Sequence, residues 1–484
     1  MQNSSELTAK GFLKKLVGFS MAAWISAGIS FLVTPVFTRL YLPEEVGHIN
    51  LFITYMTFFR TICVCALDQA LMRFYNEKLE GLEKRTFLRH CLKINFTISV
   101  IVVMVIIVKY DFFSTQISGD SNLLIPVCLS VDIVCSTFLG MSSISSRMEK
   151  NILQYTLQVV SITFAEKIVF TLVAFYHPEH KRAIFVMTCG YTILGAVFYF
   201  IKRKEKLLNS ARIPWQTTKI LLRFSVPYLP VLLLSWLNSS IPLFVLKKYV
   251  DYSAVGIYTN AVTIANILTI IQTGFTAYWG PFIYAHYKEE NSREKIKKIE
   301  RIVILVLISA AVCIVIFQDV IYLLVGEKFR ASKTFFPFLM MTPICNAIAD
   351  MTGIGIMLSK KSYLNIYTFI GNTFTNLSLS YVLVPKIGVM GAGIAVGISA
   401  LVMLIIRSYL GGRYYKICES NWFIFGAVGM FILACVINIV FIDRIILKTL
   451  LLAAVFGGLC ILFWKEIVYL VKFAFQEIKC VIQR

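Results

Sequence analysis

Acidic residues are scarce in this chain, and charge of either sign is thin. There are 26 Asp and Glu and 47 Lys and Arg among 484 residues, 15% charged in all. A soluble globular chain carries about a quarter charged residues, so an ordinary soluble domain is excluded. Histidine is rarer still. His48, His90, His177, His180 and His286 fall at the ends of apolar runs or between them, without metal-ligand spacing. The 12 cysteines are scattered mainly within apolar runs, and the CxC of Cys63 and Cys65 reads as core filler rather than a redox or metal site. The longest outer loop, KYDFFSTQISGDS around 109–121, is too short for a catalytic domain. A glycan polymerase, ligase or glycosyltransferase is therefore disfavoured, and no cofactor is called for. The opening MQNSSELTAKGFLKKL lacks the pattern of a cleavable signal, so the first apolar run reads as a resident helix.

Apolar length is what the chain has. Hydrophobic residues make up 58% of it. Fourteen runs, from 17–38 to 446–471, are long enough to cross a hydrocarbon core of about 30 Å as helices. Lys and Arg alternate with them: 33 fall on one side and 12 on the other, which predicts both termini in the cytoplasm. The net charge of +21 then reflects topology and contact with anionic lipid, not nucleic-acid binding.

The chain also repeats itself. TPVFTRLYLPEEVGHIN (34–50) parallels IPLFVLKKYVDYSAVGIYTN (241–260), with Pro35 matching Pro242 and Gly47 matching Gly256 at offsets of 207 and 209. SSRMEKNILQY (145–155) echoes GIMLSKKSYLNIY (355–367). The expected fold is an all-α polytopic membrane protein of two parallel six-helix repeats plus two C-terminal helices. Its predicted parts are a first lobe at 1–201, a basic cytoplasmic linker at 202–219, a second lobe at 220–412, and two further helices with a tail at 413–484. Six-helix parallel repeats with Pro-interrupted first helices suit transport by alternating access.

Six plus six plus two helices resembles the multidrug/oligosaccharidyl-lipid/polysaccharide exporter superfamily. RLYLPEEVGHINLF, the later DQALMRFYNE and IGVMGAGIAVG (387–397) resemble the polysaccharide-biosynthesis flippases within it. The resemblance implies a protein of the bacterial cytoplasmic membrane that moves undecaprenyl-diphosphate-linked oligosaccharides to the outer leaflet. It also implies use in capsule, exopolysaccharide or O-antigen synthesis, beside polysaccharide polymerase machinery. Two alternatives stay open, a cation-coupled multidrug exporter of the superfamily and a lipid II flippase. Against the second, LVGFSMAAWISAGISFLVTPVF (16–37) carries no charge, where lipid II flippases resemble one another in having arginines there.

Five ionisable residues, Arg60, Asp132, Glu166, Lys167 and Asp350, sit well inside apolar runs. Facing lipid they would together cost on the order of 12–17 kcal/mol, so they are expected to face protein or water. Neighbours on a helix point about 100° apart, so Glu166 and Lys167 do not simply neutralise each other. Lys167 shares a stripe with Thr156, Thr163 and Thr171, expected to be polar and wet, while Glu166 needs a partner on another helix. The 209-residue offset carries Thr156, Thr163 and Lys167 onto Asn365, Asn372 and Asn376, and Asn266 lies on a further polar face with Thr259, Thr263 and Thr273. Arg60, Lys167, Thr163, Asn266, Asn372 and Asn376 are the candidate substrate-binding residues, because a diphosphate needs cations and sugars need amides and hydroxyls. Asp132, Glu166 and Asp350 are candidates for charge pairing or for taking a coupling H⁺ or Na⁺. A plainer reading pairs Lys167 with Asp132 and leaves both structural. Arg39, Asp68, Arg73, Lys247 and Lys248, at span ends, are candidate gate or interfacial residues. GVMGAGIAVG reads as close helix packing.

Overall fold

The computed structural model describes residues 9–75, 77, 84–205, 207, 215–286, 292–359, 361, 363–415, 422–470 and 472. Among them every regular element is helical. Two compact units emerge: Met1–Asn260 with Val325–Phe329, and Ala261–Leu324 with Arg330–Arg484. The division falls inside a helix, between Asn260 and Ala261, rather than at the predicted linker.

Unit 1 contains α1 (Ala9–Leu40), α2 (Pro43–Val64), α3 (Leu67–Phe74), α4 (Lys84–Val108), α5 (Tyr110–Ser118) and α6 (Leu124–Met148). It continues with α7 (Ile152–Phe164), α8 (Phe170–Ala174), α9 (His180–Lys204), α10 (Trp215–Ser225), α11 (Leu229–Tyr249) and most of α12 (Tyr252–Ala265). Unit 2 contains α13 (Ile267–His286), α14 (Ser292–Ile316), α15 (Gln318–Leu324), α16 (Phe336–Thr352), α17 (Ile354–Leu358), α18 (Leu364–Gly412), α19 (Trp422–Val440) and α20 (Ile445–Leu462). The predicted linker is helical at both flanks, in the ends of α9 and α10. Its residues 208–214, and the tail from 473 on, lie outside the described residues.

Ten helices among the described residues are long and apolar enough to cross a membrane, and twelve if α2 with α3 and α12 with α13 each count as one bent span. The predicted fourteen are not all recovered, for two physical reasons. α18 runs across two predicted spans, interrupted at Pro385, which lacks an N–H, and at Gly388, whose φ of 58° few other residues tolerate. α16 stops at 17 residues and is followed by the short α17. α2 and α3 meet at 50° across Cys65 and Ala66, both left-handed without being glycine.

The proline-bearing helices hold together by local hydroxyls. In α1, Thr38 Oγ1 donates to the Thr34 carbonyl at 2.7 Å around Pro35, and in α11 Ser239 Oγ donates to the Trp236 carbonyl at 2.8 Å ahead of Pro242. Neither bond reaches the carbonyl its proline frees, four residues back at Phe31 and Asn238; these hydroxyls brace the adjoining turns instead. On the outer faces, α4 presents Phe96, Ile101, Met104 and Val108 as exposed apolar side chains, the surface a hydrocarbon solvent requires.

The repeat takes physical form within unit 1. A Cβ on Gly47 of α2 would fall on the Tyr252 carbonyl, and one on Gly256 of α12 would fall on the Pro43 carbonyl. Under the 209-residue offset, Gly47 becomes Gly256 and Pro43 becomes Tyr252. The starts of the two repeats therefore cross through reciprocal contacts, each glycine seated on the other repeat's helix start. Only a residue without a side chain allows that approach. In unit 2, Gly393 and Gly397 pack closely as expected, against Phe335 and Phe338, whereas Gly388 faces open space.

Candidate functional site

The helix bearing Glu166 and Lys167 is not a uniform α-helix. Between α7 and α8 it widens into a π turn at Ala165–Val169, which contains both charges. π turns insert a residue into the helical ladder, shift the register of the succeeding turns, and recur at functional sites. Thr171 Oγ1 donates to the Lys167 carbonyl at 2.5 Å.

Glu166 finds its partner on another helix: its Oε1 accepts a hydrogen bond from the Tyr191 hydroxyl of α9. Tyr191 is buried and lies within electrostatic reach of Glu166, Arg60 and Asp132. Asp132 on α6 is 0% exposed; its Oδ2 accepts from Thr188 Oγ1 of α9 at 3.1 Å, while Oδ1 has no partner among the described residues. Arg60, from α2, lies against Gly140 of α6, where a Cβ would collide with the guanidinium. Three helices and the π turn thus bring Arg60, Asp132, Glu166 and Tyr191 together inside unit 1, with Lys167 beside Glu166 in the same turn.

The signs in this cluster are held differently. Both carboxylates are hydrogen-bonded by neutral hydroxyls. Neither cation forms an ion pair among the described residues, although Lys167 senses the charge of Glu166. The pairing of Lys167 with Asp132 is not formed, because Asp132 turns to Thr188 instead.

The remaining candidates are dispersed. Thr163 Oγ1 donates to Ser26 Oγ of α1 at 2.9 Å, and the Thr156 hydroxyl is buried without a partner among the described residues. Asn266 is exposed at the break between α12 and α13. Asn372 and Asn376 are buried in unit 2 instead of lining an open wall. Asn372 Nδ2 lies 3.7 Å from Met403 Sδ, and Asn376 Oδ1 accepts from Ser380 at 3.1 Å. Asp350 joins Arg407 of α18 at 2.9 Å and accepts from Thr276 at 3.2 Å.

Among the span-end candidates, Arg39 is exposed at the end of α1. On α3, Arg73 pairs with Glu77 at 2.7 Å and Asp68 accepts from Gln69 at 2.9 Å. Lys247 bonds the carbonyl and, at 2.7 Å, the side-chain oxygen of Gln116, and Lys248 sits 5.0 Å from the Tyr249 ring.

Several residues of the charged architecture escaped the sequence reading. Tyr191 and Thr188 look like ordinary polar residues of an apolar helix. Arg407 stands near the end of a run and gave no sign of reaching Asp350. At the end of unit 1 where α1 turns into α2, His180 bonds Glu45 through its backbone and ring, and stacks 4.3 Å from His48. His48 lies 3.9 Å from the Tyr252 ring, and its Nδ1 is 2.6 Å from the Ile117 carbonyl. Its place inside PEEVGHIN was the available signal.

Comparison with known proteins agrees with this architecture. A lipid II flippase MurJ in an inward-closed conformation superposes with a TM-score of 0.63 at 14% identity, over 93% of this chain and 99% of that one. An inward-facing multidrug resistance MATE family transporter of the MOP superfamily gives 0.60 at 15% identity, over 79% and 93%. Its outward-facing counterpart gives 0.55 at 16%, over 84% and 97%. At such identities these likenesses establish the fold. No curated protein sequence matches the chain. The family model described as polysaccharide biosynthesis protein matches residues 12–283. With more than half its length in that match, the chain belongs to the polysaccharide biosynthesis protein family.

Proposed function

We propose that this protein flips an undecaprenyl-diphosphate-linked oligosaccharide across the bacterial cytoplasmic membrane by alternating access, as a step in capsule, exopolysaccharide or O-antigen synthesis. One observation carries the reading. Arg60 and Lys167 are set into apolar helices of unit 1, Arg60 against Gly140 and Lys167 in the π turn, and neither forms an ion pair among the described residues. An intramembrane cation without a carboxylate is costly and marks a substrate pathway. A diphosphate headgroup is the complementary charge, and Arg and Lys hold phosphate oxygens by charge-assisted hydrogen bonds. Asp132 and Glu166, bound only by hydroxyls, are the groups assigned to a coupling H⁺ or Na⁺. Family membership supports the glycan class.

The test is a reconstituted liposome assay with a fluorescent undecaprenyl-diphosphate oligosaccharide, following label that becomes accessible to a reagent in the opposite leaflet. Protein-dependent movement is expected, with no movement of a bare cationic dye. Lys167→Ala should abolish most of it in protein that still purifies as a monodisperse species, and Lys167→Arg should retain part. Dye movement without glycolipid movement would assign the chain to drug export. Full activity in Lys167→Ala would remove the residue from the substrate path.

A further inference from the structure

α4, α6 and α9 enclose a cleft of about 590 Å³ on unit 1, whose lining includes none of Arg60, Asp132, Glu166, Lys167 and Tyr191. It has two zones. At one end stand Arg89 and Lys93, from the first turns of α4, and Arg203, from the last turn of α9. The other wall is apolar, with Phe96, Phe138 and Tyr199 prominent. Lys93 precedes Phe96 by three residues on α4 and Arg203 follows Tyr199 by four on α9, so these cations lie about 5–6 Å along the helix axes from the aromatic floor, with Arg89 about 10 Å from Phe96. Phe96 is 61% and Tyr199 43% exposed, and both continue onto the lipid-facing surface. No carboxylate lines the cleft, and Lys93 and Arg203 form no ion pair among the described residues.

A second observation points to a ligand. Thr137 lines the cleft at 3% exposure, and its hydroxyl has no hydrogen-bond partner among the described residues. Elsewhere on α6, Ser130, Ser136, Ser143 and Ser146 each donate to a carbonyl three or four residues back, and of the two hydroxyls without a partner among the described residues, Thr137 and Ser142, only Thr137 lines the cleft. A hydroxyl buried at membrane depth requires an acceptor.

We propose that this cleft binds an anionic membrane phospholipid. Its phosphate lies at Lys93 and Arg203, with Arg89 completing the positive rim. An ester carbonyl accepts from Thr137, and an acyl chain lies along Phe96, Phe138 and Tyr199. A soluble anion would use the rim but not the aromatic floor. Basic pockets between membrane helices at the positively charged side are sites for such headgroups. The site is independent of the transport reading, since no residue is shared with the Arg60–Lys167 cluster.

The experiment is native mass spectrometry of the purified full-length protein titrated with phosphatidylglycerol or phosphatidylcholine of identical chains. Phosphatidylglycerol is expected to form a saturable adduct that phosphatidylcholine does not. Lys93→Gln and Arg203→Gln should each weaken it about fivefold at low ionic strength. Both side chains are exposed, Lys93 within α4 and Arg203 in the last turn of α9, so folding is not at stake. Thr137→Val, close in shape, should weaken binding of the ester lipid but not of its ether-linked analogue. Equal binding of the two headgroups, or an unchanged adduct in the Lys93→Gln/Arg203→Gln double variant, would overturn the proposal. So would displacement of phosphatidylglycerol by stoichiometric undecaprenyl diphosphate, which would give the cleft to the carried lipid instead. Flipping assays on the same variants separate the two readings, because loss of the adduct leaves the Arg60–Lys167 path intact.

Discussion

The two units hold their mid-helix charges differently, although unit 1 also buries a paired cation of its own at the end of α9, where Lys202 meets Glu149 and Glu205. In unit 2 the charges set into or beside apolar helices are paired: Asp350 with Arg407 at 2.9 Å, Arg301 with Glu466 at 3.0 Å, and Asp319 with both Lys333 and Lys448. In unit 1 the acids Asp132 and Glu166 rest on the hydroxyls of Thr188 and Tyr191, and the cations Arg60 and Lys167 have no ion-pair partner among the described residues. Both units seat an arginine over a glycine, Arg60 on Gly140 and Arg407 on Gly353, yet only Arg407 meets a carboxylate. Paired charges need nothing further to be stable in a membrane interior. Unpaired ones are explained by a ligand, an ion or water. Under the proposed function, the paired charges of unit 2 are structural and the unpaired ones of unit 1 serve transport.

The largest expected effect breaks the paired side. Arg407→Gln leaves Asp350 without its cation and should lower stability by about 3 kcal/mol, the low end for breaking a buried pair, since both groups keep some exposure. Asp350→Asn in the same chain should restore most of the loss. Thermal unfolding of the purified variants measures both. In unit 1 the matching change, Arg60→Gln, should leave the unfolding temperature within a few degrees of wild type while flipping falls. A deep loss of stability there would mean that Arg60 is structural after all.

Somewhat smaller is the effect of filling the two arginine seats. Gly140→Ala and Gly353→Ala each place a methyl where a guanidinium now lies, and overpacking of this kind costs about 1–3 kcal/mol. At Gly353 the loss should appear in stability, because the displaced arginine leaves its carboxylate. At Gly140 it should appear mainly in transport, read as reduced flipping at nearly unchanged unfolding temperature. Equal behaviour at the two sites would erase the distinction between the units.

Much of this was open to sequence reading, and the exceptions have physical causes. The repeat offset of 209 matched Gly47 with Gly256, but that the two cross in reciprocal contact was not foreseen, since a repeat gives equivalent positions and not which of them meet. Glu166 was expected to need a partner on another helix, since its own helix offered none. The π turn was not foreseen: AEKIV has no glycine or proline, and the widening follows from packing rather than local preference. The break at Cys65 and Ala66 hid for the same reason, with left-handed backbone at residues that give no signal of it. The Asp350–Arg407 pair joins positions 57 apart, a distance at which periodicity carries no information. Asn372 and Asn376 kept their predicted stripe yet turned out buried, since a spacing fixes a helix face but not what covers it.

Removing a hydroxyl tests the acidic half of the unit 1 cluster more gently. Tyr191→Phe keeps the ring and takes away the donor to Glu166, with an expected loss of about 1–2 kcal/mol for an unmet acceptor. If Glu166 takes part in coupling, the ion dependence of flipping should also change in this variant, whereas a Thr188→Val change acts on Asp132 alone. An unaltered ion dependence in both would return these carboxylates to a packing role.

The smallest effect comes from a pair that lies in water. Asp120, in the loop between α5 and α6, is held below the usual carboxylate range by its hydrogen bond to Lys181 at 2.5 Å and by Ser118, with the charge of Lys181 and nearby His180 adding to this. Its folded pKa is depressed, so whatever stability it gives is fully present above the ordinary value near 3.9 and is lost as pH falls through the lowered one. The Asp120 side chain is 46% exposed, so solvent screening limits the contribution to about 0.5 kcal/mol. Lys181→Met should therefore shift the unfolding temperature slightly at pH 6 and not at all near pH 2, and added salt should remove the difference at pH 6. Salt should leave the Arg407→Gln effect in place, because burial shields that pair from counterions. A salt-sensitive Arg407 effect would place the Asp350 pair in water as well, and the contrast between the units would then rest on unit 1 alone.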